Sequence, residues 1–326
     1  MSESSQPDHD KRSDRAAEPR PIRFALQINP GPDEIDRLGR DAETAGFDVI
    51  TVADHIGATM ASPMIALARL AGTTDTIGLG TMVINNDMRN PVQLAWEAAT
   101  LHRLSGGRFE LGLGAGHTPH EYDETGIPFD RPAVRKQRLA EAVEIISALL
   151  RTGTVDHQGE HYRVDAAKIE PVAEPLPILV GGNGTALLRH AARHADIIGL
   201  QGLGRTLEDG HRHTVRFSID HLESQLAVIA DAAGGNRPEL NALVQACTIT
   251  DDRQAELDEM VDRIEGMTFE DASATPYLAI GSVDEIAAQM IAARDTWGIS
   301  YFTTRTMDMA PVIERVRQLE QREETR

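Results

Sequence analysis

From residue 21 onward the chain alternates between two hydrophobic rhythms. Short continuous apolar runs read as strands buried on both faces. They recur at residues 22–28 (IRFALQI), 48–53 (DVITVA), 76–84 (TIGLGTMVI), 109–114 (FELGLG), 177–180 (PILV), 196–200 (DIIGL), 240–250 (LNALVQACTIT) and 300–302 (SYF). Between them, apolar residues return every three or four positions, as on a helix with one buried face. Residues 32–45 carry Ile35, Leu38 and Ala42 on such a face and close at Gly46. Further helices are predicted over 64–71, 91–104 with Pro91 in the first turn, 132–150, 185–195, 215–233, 283–297 and 311–321. Residues 154–164 (TVDHQGEHYRV) read as a hairpin turning at Gly159. Eight strands alternating with helices over roughly 300 residues predict a (β/α)8 barrel rather than an open doubly wound sheet.

Residues 1–20 are almost wholly polar, with no periodic apolar face, and are predicted to be a disordered tail outside the fold. Residues 21–326 are expected to form one barrel domain, with insertions near 115–131, 201–214 and 251–275. The last of these is acidic and contains a helix.

Composition narrows the function. Of 326 residues, 51 are acidic and 32 basic, a formal charge of -19. That field argues against nucleic acid and anionic membranes as partners, and an anionic ligand needs a local site of its own. The single cysteine, Cys247, excludes an internal disulfide and a cysteine-rich metal site, and reads as a small hydrophobe in an apolar run. No run is long enough to span a membrane, and the N-terminus lacks the apolar core of a signal peptide. The expectation is a soluble, cytoplasmic protein.

A barrel keeps its reacting groups at the C-terminal ends of its strands. The fourth run empties into Gly112, Gly114 and Gly116, and His117, His120 and Glu121 follow at once. Asp54 and His55 follow the second run; His55 suits proton transfer near neutral pH, while Asp54 could equally cap a turn. Thr81, Met82 and Val83 close the third. Gly181, Gly182, Asn183 and Gly184 precede a helix, whose exposed N-terminal amides suit a phosphate or merely form a turn. Neither glycine run matches G-x-G-x-x-G, and there is no Walker loop or G-x-S-x-G elbow. His190 and His194 share a helix face at i, i+4, but no third ligand is near in sequence, so no metal is assigned.

These pieces resemble the luciferase-like monooxygenase superfamily, in particular its actinobacterial branch that uses the deazaflavin coenzyme F420. The resemblance covers roughly residues 22–317. It rests on AETAGFDVITVADH, IGLGTMVINNDMRNPVQLAWEAATLHRLSGGRFELGLGAGH with EYDETGIPF, PILVGGNG, VDHQGEHYRV and GSVDEIAAQMIAARDTWGISYF. It implies a (β/α)8 barrel with insertions and a flavin or deazaflavin ring at its mouth. Asp54 and His55 would line the ring and substrate side. Met82 and Val83 would hold a bulge behind the ring, often a non-prolyl cis peptide, and Thr81 is counted with them as cofactor-binding. Ala115, Gly116 and His117 would pass beside it, and residues 181–184 would take the phosphate end. Sugar-phosphate dehydrogenases of the superfamily carry a glutamate where His117 stands, so their substrate is not carried over.

The resulting expectation is hydride transfer between F420 and a small organic substrate, with His55, Asp54 and His117 as catalytic residues. Arg205 and Arg212, with Arg216, lie in residues 202–216 and would meet the anionic tail of F420. Two rivals stay open: an FMN-dependent monooxygenase fed by a separate reductase, and a non-catalytic flavin-binding protein. A homodimer is also an open expectation.

Overall fold

The computed structural model describes residues 19–57, 59–207 and 213–324. Eight parallel strands form its core: Arg23–Ile28, Val49–Val52, Gly78–Thr81, Phe109–Gly114, Ile178–Gly181, Ile197–Leu200, Glu239–Leu243 and Ile299–Thr304. Each pairs with the next, and the first pairs with the last, Phe24 opposite Phe302, so the sheet closes and leaves no edge. Strands such as Val49–Val52, Ile178–Gly181 and Ile197–Leu200 are buried at every position, which is why they appear as unbroken apolar runs. The (β/α)8 barrel is therefore the architecture of this chain.

Helices cover the outside, and their ends follow local chemistry. Asn90 caps Pro91–Leu104 by accepting from the Val92 and Gln93 amides. Ser282 and Glu285 form a capping box at the start of Val283–Trp297. The hairpin pairs Thr154–Gln158 with Arg163–Lys168.

Three predicted elements are corrected. The third run breaks at Met82 and Val83, where the peptide is cis, and resumes as Ile84–Asn85. The seventh splits at Val244 and Gln245: Glu239–Leu243 stays in the barrel, while Ala246–Ile249 pairs with Leu278–Gly281 in a separate small sheet. The Gln245 amide bonds to the Tyr277 carbonyl, which draws the chain out of the barrel wall. The helix predicted from residue 215 starts at Ile219, because His213–Val215 pairs antiparallel with Leu203–Thr206. The acidic stretch holds two helices, Arg253–Arg263 and Phe269–Ala274. Of the predicted tail, residues 1–18 lie outside the described residues, and the Arg20 guanidinium donates to the Arg237 carbonyl.

The N-terminal end of the barrel is sealed by charge. Arg23 donates to Glu239 at 2.7 Å and to Glu110 at 2.8 Å, and lies 3.6 Å over the Tyr301 ring. The Tyr301 hydroxyl donates to Glu110 at 2.5 Å. With that end plugged, the open end is the C-terminal mouth.

Candidate active site

The mouth encloses a cavity of about 1060 Å³. One wall is the bulge. The Gln27 carboxamide donates to the Met82 carbonyl at 2.5 Å, and Val83 presses towards the glycines of strands four and five. A Cβ on Gly114 would lie 2.4 Å from a Val83 methyl, so only glycine lets the bulge sit this close. Met82 and Val83 both line the cavity. Thr81 does not: its buried hydroxyl exchanges hydrogen bonds with the Gly112 amide (2.8 Å) and carbonyl (2.9 Å), locking strand three to strand four behind the wall.

Asp54 lines the cavity beside the bulge. One carboxylate oxygen accepts the Asn85 amide and the other accepts Arg89, both at 2.9 Å, so both oxygens hold the segment that leaves the bulge. His55 faces the cavity, and its Nδ1 meets the Glu121 carboxylate at 2.8 Å. Glu121 sits on the short helix Pro119–Thr125 with its side chain only 5% exposed. A carboxylate held at one imidazole nitrogen orients the ring and leaves the other nitrogen for a reacting group. The His117 ring stands edge-on to His55 with centroids 5.8 Å apart, and His213 lies 5.2 Å beyond His117. Ala115 and Gly116 line the cavity, and Gly116 at φ +71° leaves no room for a Cβ against the Tyr122 hydroxyl.

The other end of the cavity is cationic. Residues Gly181, Gly182, Asn183 and Gly184 lead into helix Thr185–His194, and Lys136 donates to the Asn183 carbonyl at 2.6 Å. Burial, with Arg135 nearby, holds the Lys136 ammonium below its ordinary pKa. Back at the bulge wall, Arg305 donates to Gln27 at 2.9 Å and to Gln245 at 3.1 Å. Among the described residues neither cation forms an ion pair with a carboxylate. Arg216 also lines the cavity, whereas Arg212 and the side chain of Arg205 lie outside the described residues.

The structure thus brings His55, His117, Met82, Val83, Ala115, Gly116 and residues 181–184 around one space, with Asp54 at its edge. Glu121, Gln27, Lys136 and Arg305 join them without having been assigned from sequence. Glu121 was visible in the same run as His117, but nothing local paired it with His55, 66 positions earlier.

Fold and mouth together define a closed (β/α)8 barrel with one large cavity at the C-terminal ends of its strands. The chain belongs to the luciferase-like monooxygenase family, whose model matches residues 11–306. It is similar to the F420-dependent glucose-6-phosphate dehydrogenase of Nakamurella multipartita, 34% identical over 189 residues that cover 55% of this chain and 56% of the relative. It is 29% identical over 232 residues to the 5,10-methylenetetrahydromethanopterin reductase of Archaeoglobus fulgidus, covering 71% and 65%. The chain thus spans less than two thirds of the length of these curated relatives. Among solved structures, a monooxygenase from Streptomyces bottropensis superposes with a TM-score of 0.67 over 90% of this chain and 97% of that one. At 21% identity that likeness speaks for the fold alone. No helix among the described residues is long and apolar enough to cross a membrane.

Proposed function

We propose that the protein is an oxidoreductase that binds coenzyme F420 in the barrel mouth and moves a hydride between it and a small organic substrate. The observation that carries this reading is the His55–Glu121 pair, at 2.8 Å, on the wall of a cavity that also holds the bulge. The relatives named for F420 support the choice of cofactor.

The residues present fit such a group. The cavity of about 1060 Å³ is at the upper end of small-molecule sites, and Val83 packed on glycine offers an apolar wall for a flat ring. Met82, Val83, Ala115 and Gly116 would flank the ring. The turn at 181–184, the N-terminus of helix Thr185–His194 and Lys136 would take the phosphate. When bound, F420 supplies a carbon that accepts or gives up a hydride. The chain's own residues do the rest. His55 Nε2 takes or returns the proton of the substrate oxygen, and Glu121 keeps Nδ1 engaged so that Nε2 faces the cavity. Arg305, held by two carboxamides, offers its remaining donors to a polar group of the substrate. His117, edge-on to His55 at the cavity, stands as the second candidate for handling that proton.

Equilibrium binding of F420, reduced F420, FMN and reduced FMN, followed by fluorescence or calorimetry, tests the proposal. F420 in one redox state should bind most tightly. Tighter binding of FMN with oxygen-dependent product formation would make the protein a monooxygenase instead. Binding of F420 without turnover of any alcohol, aldehyde, ketone or enone in a broad panel would make it a non-catalytic carrier.

A further inference from the structure

Outside the mouth, one cluster has a chemistry the proposed reaction does not use. His190 and His194 lie one turn apart on helix Thr185–His194, with ring centroids 4.4 Å apart. The neighbouring helix, Pro132–Thr152, brings Glu144 to them, its Oε1 3.9 Å from His190 Nδ1. One ligand atom from each of the three residues lies within 4.8 Å of the others. His190 Nε2 is buried and has no hydrogen-bond partner. The third ligand, missing from the local sequence, comes from a residue 46 positions before His190 and appears only when the two helices pack.

We infer that Glu144, His190 and His194 form a binding site for a divalent transition cation of the zinc type, which pins the two helices together. Two imidazoles and a carboxylate are a donor set that zinc takes readily, with water in the fourth position. Bonds of about 2.0–2.1 Å require ligand atoms roughly 3.4 Å apart, so the cluster must contract. Ligation through His190 Nδ1 would displace its backbone hydrogen bond at Ala140, whereas Nε2 is already without a partner. Glu144 can do this by rotation, because its side chain is 46% exposed. The histidines occupy the second half of their helix, ending at its last residue, where the helix dipole favours a cation. The other end of the same helix pair is already joined, through Lys136 and the Asn183 carbonyl, at the anion end of the cavity. A bound ion would fasten these helices at a second point and steady that end of the mouth. None of the three residues lines the cavity, so the inference stands apart from the cofactor assignment.

The test uses the untagged full chain, stripped with EDTA and titrated with Zn²⁺ by calorimetry, and with Co²⁺ by visible absorption. The expected result is one saturable ion per chain, a tetrahedral cobalt spectrum and a higher Tm with Zn²⁺. Glu144→Gln and His190→Ala should each weaken binding by about tenfold or more and abolish the Tm gain. Glu144→Gln changes an exposed side chain and keeps the experiment informative if the histidine variant folds poorly. Unchanged Zn²⁺ binding in Glu144→Gln and in the double variant His190→Ala/His194→Ala would overturn the inference. So would the absence of saturable binding in the unmodified chain.

Discussion

His55 is the residue on which the proposed chemistry turns. Its replacement by alanine should slow turnover by about 10²–10⁴ and leave F420 affinity nearly intact if its role is the proposed proton transfer and not holding the ring. Steady-state kinetics beside a binding isotherm separates these effects. Unchanged turnover with a lowered Tm would instead make His55 a structural residue. Glu121→Gln should lower kcat more than it raises KM, because it loosens the orientation of His55. Cys247 offers an independent check on the packing of the outer sheet. Burial, and next the Asp308 carboxylate, push its thiol up to about 11. At pH 7.5 the reactive thiolate is therefore scarcer than on an ordinary cysteine, and alkylation by iodoacetamide should be about a hundredfold slower than for a free thiol. As this is the only cysteine, mass spectrometry reads the rate directly, and rapid labelling would mean that Ala246–Ile249 is more open than described.

Among the elements, the bulge after strand three is the one most tightly specified by its neighbours. Gly114→Ala places a methyl group 2.4 Å from a Val83 methyl and should cost about 1–3 kcal/mol, the usual range for overpacking. Adding Val83→Ala removes the clashing group, so the double variant should recover part of the loss in urea unfolding. Strictly additive losses would show that Gly114 matters for some reason other than Val83. Elements also mark where sequence patterning misled. The helix predicted from residue 215 begins only at Ile219, because Leu203–Thr206 offers His213–Val215 a strand partner. The run at 240–250 has uniform β-character, but a strand leaves a barrel where another backbone, here that of Tyr277, competes for its amides.

For the whole molecule, the charged plug at the barrel floor matters most. Arg23 answers two mostly buried carboxylates, Glu110 and Glu239, whose side chains are 8% and 11% exposed. Arg23→Ala leaves both uncompensated and should cost about 3–5 kcal/mol, read as a lower urea midpoint. The mouth lies at the opposite end of the strands, so F420 affinity should stay within a few-fold when measured well below that midpoint. A variant as stable as the parent would mean that closure of the sheet, not the plug, holds the floor.

The barrel itself was legible in the sequence, because strands buried on both faces and helices buried on one write their periods locally, over ten or fifteen residues. The glycines at 112–116 and 181–184, and the histidines after them, were legible for the same reason: turns and close approaches need particular residues in place. Pairings were not. His55 with Glu121, Arg305 with Gln27 and Gln245, Arg23 with two glutamates, and Glu144 with His190 join residues between 46 and 278 positions apart. Such contacts exist only once the first strand has met the last and the helices have docked. Local patterning determined which residues stand at the strand ends and helix faces; closure of the barrel decided which of them meet.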